Sequence, residues 1–196
     1  YGVGGKGYFA LNVTDPANFT EANEEKLVFW EFSEEDDVYP LDTNGIAFLN
    51  SDGDLISDYQ TPPQAIKDLG YSTSVPVIAS SNILAADGER EWISLFGNGA
   101  NSTSGIAKLF MLLIDKGRDG VWCHPDSRFG DELATRPGCD NDEYDFLKLT
   151  TGNGANAAAQ PNGLGSPRAI DADRNGTVDY VYAGDEQGNL YRFDLC

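Results

Sequence analysis

Apolar positions along this chain fall into short runs that alternate with polar ones, and few recur at helical spacing. Alternation at period two puts every second side chain on one face of an extended strand. On that pattern strands are predicted at 7–13, 27–32, 75–79, 91–96, 107–115, 177–183 and 189–194. A helical or apolar turn is expected near Gln64 to Asp68. Twenty-two glycines, nine prolines and many Asn and Asp residues separate the runs, as turns between short strands require. The expected fold class is all-β.

Three of the strands share one plan. The runs that begin at Gly5, Ser104 and Gln187 each place a glycine before a strand of mixed aromatic and aliphatic residues that ends in Asn or Asp. Two are preceded by a similar strand and a tight turn, at 92–99 and 180–185, and two by a further strand carrying Pro76 or Pro167. Strand, strand, turn, strand at this spacing is the sequence shape of propeller blades of roughly 40–50 residues. The expectation is a partial β-propeller domain over 1–196 with quinoprotein-like blades, about four of them. Two loop-rich stretches, 34–69 and 123–162, read as insertions, and an irregular β-sandwich is the alternative.

Charge narrows the partners. Thirty-two acidic residues against thirteen basic ones give a net charge of −19, which opposes binding to nucleic acid phosphates or anionic lipid. No run of 18 apolar residues is present to span a membrane. The chain opens on Tyr1 with neither Met nor a signal-peptide pattern, which reads as a processed chain or a piece of a longer one.

The acidic residues are not spread evenly. From Asp171 to Asp179, oxygen-bearing side chains stand at relative positions 1, 3, 5 and 9, with Gly176 at position 6. A hard divalent cation takes six to eight oxygens at about 2.3–2.6 Å. Asp171, Asp173 and Asn175 are expected to give side-chain oxygens, Thr177 its carbonyl, and Asp179 a direct or water-mediated contact. The residue at position 12 is Tyr182 rather than Glu, and an alternating run follows. This reads as a calcium loop leading into a strand and not as a helical hand, with an Asp/Asn-rich turn that carries no metal as the alternative. A second stretch repeats the oxygen spacing with Asn50, Asp52, Asp54 and Asp58, but its glycine is at position 4; a weaker metal site and a solvated turn are both open there. Asp140, Asp142, Glu143 and Asp145 lack the spacing and read as a solvated face.

Cys123 and Cys139 enclose 15 residues of polar loop, and a disulfide between them would contribute about 3 kcal/mol. Such a bridge implies export to an oxidising compartment. Cys196 is left over. Catalysis finds little support: His124 is the single histidine, so neither a multi-histidine zinc site nor a histidine relay can be built. No enzyme activity is expected.

The motifs at 4–16, 29–32, 69–76 and 96–102, and above all the series from Asp171 to Leu195, resemble the C-terminal propeller of PilC/PilY-type pilus factors. The resemblance covers most of the chain outside the two insertions. It implies calcium in the Asp171–Asp179 loop, where all the side-chain ligands match. It also implies a place at the tip of a type IV pilus on the bacterial surface after export through the periplasm, and a role in pilus extension and adhesion. Minor pilins or other tip proteins are the implied partners, with a host or surface ligand as a further one. The family's propeller is expected to begin well before Tyr1. Two other readings stand beside it: a quinoprotein-like oxidoreductase, and a self-assembling filament that completes its sheets with neighbouring subunits.

Overall fold

The computed structural model describes residues 4–39, 66–123, 144–155 and 160–195. Four separate antiparallel sheets are present among them. The first pairs β1 (Gly7–Leu11) with β2 (Val28–Ser33), and the second is a two-residue ribbon of β3 (Val38–Tyr39) and β4 (Ile66–Lys67). The third is a four-stranded meander of β5 (Val77–Leu84), β6 (Arg90–Gly97), β7 (Lys108–Leu113) and β8 (Phe146–Thr150). The fourth holds β9 (Arg168–Ile170), β10 (Tyr180–Gly184) and β11 (Leu190–Asp194).

The meander is the central layer, because its strands carry apolar residues of both parities. Leu95, Leu109, Met111 and Leu113 face the fourth sheet and pack with Leu164, Val181 and Phe193. Phe96, Phe110, Leu112 and Phe146 face the first sheet and meet Tyr8, Trp30, Phe32 and Trp122. A strand buried on both faces reads as a continuous apolar run rather than an alternation, which is why 109–113 has no polar position. Phe32 is fully buried and sits edge-on to Trp122 and Phe146, with centroids 5.3 and 5.0 Å away. Face-to-face stacking of small meanders is blade packing. β2 is closed on its own account: the Trp122 indole donates to the Glu31 carbonyl at 2.7 Å, and the Ser33 N–H donates to Asp36 at 2.9 Å.

Backbone replaces side chains where three loops cross. A Cβ at Gly97 would stand 2.2 Å from the Leu164 carbonyl oxygen and 2.3 Å from that of Gly165. Beside it, Asn98 is fully buried. Its amide nitrogen donates to the carbonyls of Asp68 and Ile106 at 2.9 and 2.8 Å, and its Oδ1 accepts from Lys108 and Leu164 N–H at 3.0 and 2.9 Å.

Three expectations change. The stretch 123–162 is not wholly an insertion, since Phe146–Thr150 is the outer strand of the central blade. Its apolar–polar alternation was hidden among polar neighbours. Asp145 is not on a solvated face: it is 2% exposed, and its Oδ2 accepts the Cys123 N–H at 2.8 Å. The helical turn near Gln64 to Asp68 gives way to a strand at Ile66–Lys67, because β3 supplies a ladder partner that local propensity cannot reveal. Asn50, Asp52, Asp54, Asp58, His124, Cys139 and Cys196 lie outside the described residues.

Candidate metal centre

The Asp171–Asp179 loop connects β9 to β10, and both its ends are fixed by the sheet. Asp179 N–H donates to the Ile170 carbonyl and Leu195 N–H to that of Asp179, at 2.9 and 2.8 Å. Val178 N–H reaches across to the Ser80 carbonyl on β5 at 2.9 Å, and the buried Thr177 hydroxyl donates to Asn82 Oδ1 at 3.0 Å. Between these anchors Arg174 and Gly176 adopt positive φ, 64° and 93°. The left-handed turns curl the chain so that its side chains converge.

The convergence is tight. Oxygens of Asp171, Asp173 and Asp179 all lie within 4.8 Å of one another. Ligands of one calcium ion at about 2.3–2.6 Å cannot be farther apart than about 5 Å, so the spacing fits a shared cation. Asp171 and Asp173 are exposed, whereas Asp179 forms the floor at 5% exposure.

Each carboxylate is aimed by backbone N–H groups. Asp179 Oδ2 accepts from Ala172 at 2.6 Å, Asp171 Oδ2 from Gly176 at 2.9 Å, and Asp173 Oδ1 from Asn175 at 3.0 Å. Asn175 turns its Oδ1 toward the Thr177 N–H at 2.8 Å and the Thr177 hydroxyl. Its amide nitrogen meets Asp173 Oδ2 at 3.0 Å. The three aspartates are thus brought together as the spacing predicts, while Asn175 braces the loop in this geometry.

Asp185, in the turn before β11, is a different kind of carboxylate. It accepts from Asn162, Asn189 and Tyr191, each at 2.9 Å. Burial opposes its ionisation, but these bonds outweigh burial and hold it well below the usual carboxylate range. Its oxygens are used up in fixing the hairpin.

Sequence reasoning missed a buried charge cluster at the ends of the first insertion. Lys148 Nζ lies 2.7 Å from Asp37 and 2.8 Å from Asp68, and Lys108 Nζ lies 2.6 Å from Asp68. The Asp37 and Asp68 side chains are 0% and 2% exposed. Burial pushes Asp37 up to about 6 against the pull of Lys148, and pushes Lys148 down to about 8 against that of Asp37. A lysine at an inward position of an apolar strand was the available signal.

Residues 148–196 match the family model of the PilY1 β-propeller domain. A Type IV pilus biogenesis factor PilY1 homolog of Xylella fastidiosa is 30% identical over 99% of this chain, and PilY1 of Pseudomonas aeruginosa strain PAO1 is 32% identical over 98%. The solved C-terminal domain of Pseudomonas aeruginosa PilY1 superposes on 98% of the chain with a TM-score of 0.56 and 30% identity. Residues 148–196 thus belong to the PilY1 β-propeller family, and the chain as a whole is similar to its members. It spans 9% and 10% of those two PilY1 relatives and 25% of the solved PilY1 domain. Among the described residues, no helix is long and apolar enough to cross a membrane.

Proposed function

We propose that this chain is a calcium-stabilised, non-catalytic interaction module of a type IV pilus biogenesis factor. The observation that carries the metal is the convergence of Asp171, Asp173 and Asp179 within 4.8 Å on one loop. Thr177 adds its carbonyl and Asn175 its side chain to the ligand set. The pilus role rests on the PilY1 relatives that match nearly the whole chain. In this reading the ion clamps β9 against β10 and fixes the blade on which partners dock. Those partners are minor pilins or other tip proteins, with adhesion to a host or surface ligand as a further use. The site of action is the cell surface, reached through the periplasm. Cys123 is buried and disulfide-bonded, and the partner in this proposal is Cys139.

Calorimetry tests the metal directly. Wild type is expected to take up one calcium ion at this loop, with a gain in stability of about 2.7 kcal/mol at a hundredfold excess over Kd. Asp173→Ala should weaken uptake strongly, because the remaining ligands can no longer close the shell. Equal uptake by both proteins rejects the assignment. For the pilus role, Asp171→Ala in the full-length protein should reduce surface piliation and the recovery of minor pilins. Alcohol oxidation supported by an added quinone cofactor would overturn the non-enzyme reading.

A further inference from the structure

The cluster of Asp37, Asp68, Lys108 and Lys148 has the parts that amide formation needs. A nucleophile touches its electrophile: Lys148 Nζ is 2.7 Å from Asp37 Oδ1. That contact holds the amine against the carboxyl group it would attack, the juxtaposition on which intramolecular reactions draw. The other oxygen of the same carboxyl, Oδ2, accepts two backbone N–H groups, from Asp68 at 2.7 Å and Leu69 at 2.6 Å. Two fixed donors on one oxygen stabilise the charge of a tetrahedral intermediate.

A base is in place as well. Asp68 Oδ2 stands 2.8 Å from Lys148 Nζ, and Lys108 Nζ lies 2.6 Å from its Oδ1. The surroundings are dry: the Lys148 side chain is 4% exposed and its Nζ lies 5.9 Å from the Phe110 ring centroid. Burial favours the neutral acid at Asp37 and the neutral amine at Lys148, which are the two forms that react. Asp68 carries a lysine on each carboxylate oxygen, so it serves as the base and Asp37 as the electrophile.

We propose that Lys148 and Asp37 condense to an intramolecular isopeptide bond, which ties β8 to the segment that leads into β3. The Lys148 lone pair attacks Cγ of protonated Asp37 while Asp68 takes a proton from the nitrogen. Asp68 then returns that proton to the departing Oδ1 hydroxyl. A C–N bond forms, a C–O bond breaks and one water leaves, with no oxidant and no cofactor. The bond closes a loop between positions 111 residues apart, across the ribbon and the meander.

Mass spectrometry of the folded, purified chain, then reduced and denatured, decides the matter. The expected mass is one water below that of the reduced sequence, and proteolysis should release a branched peptide containing Asp37 and Lys148. Lys148→Arg and Asp37→Ala should both show the full sequence mass. Asp68→Asn keeps the volume and removes the base, so a correctly folded sample (checked by circular dichroism) should retain full mass or bond far more slowly. Wild type at full mass after prolonged incubation overturns the proposal. So does a branch at any other pair, or an Asp68→Asn variant that bonds as fast as wild type.

Discussion

Relative to the chain before any Lys148–Asp37 bond forms, Lys148→Met is expected to be destabilising by about 3–5 kcal/mol, the cost of removing one partner from a buried ion pair. Methionine fills nearly the same volume against Phe110, so lost packing contributes little and lost charge dominates. Asp37 is then left buried with its cation gone, beside a second carboxylate. The pH dependence of the variant follows from that. The Asp37 carboxyl already titrates near 6 with Lys148 present, against 3.8 unfolded, and without Lys148 its value moves higher. Its folded form therefore holds a proton that the unfolded chain has released, so stability rises as pH falls toward 4. Urea melts of the variant at pH 7.5 and pH 5 should show a higher midpoint at pH 5. A midpoint that is unchanged or lower at pH 5 would show that Asp37 is not the stranded charge.

Asn98→Ala should cost at least as much. Its side chain satisfies two carbonyls and two N–H groups from four different residues, those of Asp68 and Leu164 buried and those of Ile106 and Lys108 partly so. Each unpaired buried group costs roughly 1–3 kcal/mol, so the sum is on the order of 4 kcal/mol or more. Asn98 holds the chain near β4, the start of β7 and the approach to β9 at one point. The hydrogen-exchange signature should be correspondingly broad: Lys108 and Leu164 amides lose protection together. Loss at one without the other would mean that the loops are held independently.

Much of the fold was legible because its strands announce themselves. The alternation at 7–11, 28–32 and 190–194 and the apolar run at 109–113 are local signals, and the structure places strands at each. The three aspartates of the candidate metal loop were legible for the same reason, since their spacing is encoded within nine residues. What could not be read is non-local. Asp37 and Asp68 look like surface acids beside acidic or basic neighbours, and only the fold brings Lys108 and Lys148 to them. Asp145 sits in an acidic run, yet it is turned inward by a bond to Cys123 on the far side of a loop. The partner that makes a carboxylate structural lies tens of residues away in each case.

The capping of β2 has a consequence for how copies of this chain could associate. A sheet grows into a fibre only where a strand offers a row of vacant backbone donors and acceptors. Along the outer margin of β2, the Glu31 carbonyl is bonded to an indole and the Ser33 N–H to a carboxylate of the same chain. An incoming strand would have to evict Trp122 from an aromatic cluster and strip Asp36 from the turn to take these two ladder positions. Strand addition is opposed at both of them by the molecule's own side chains.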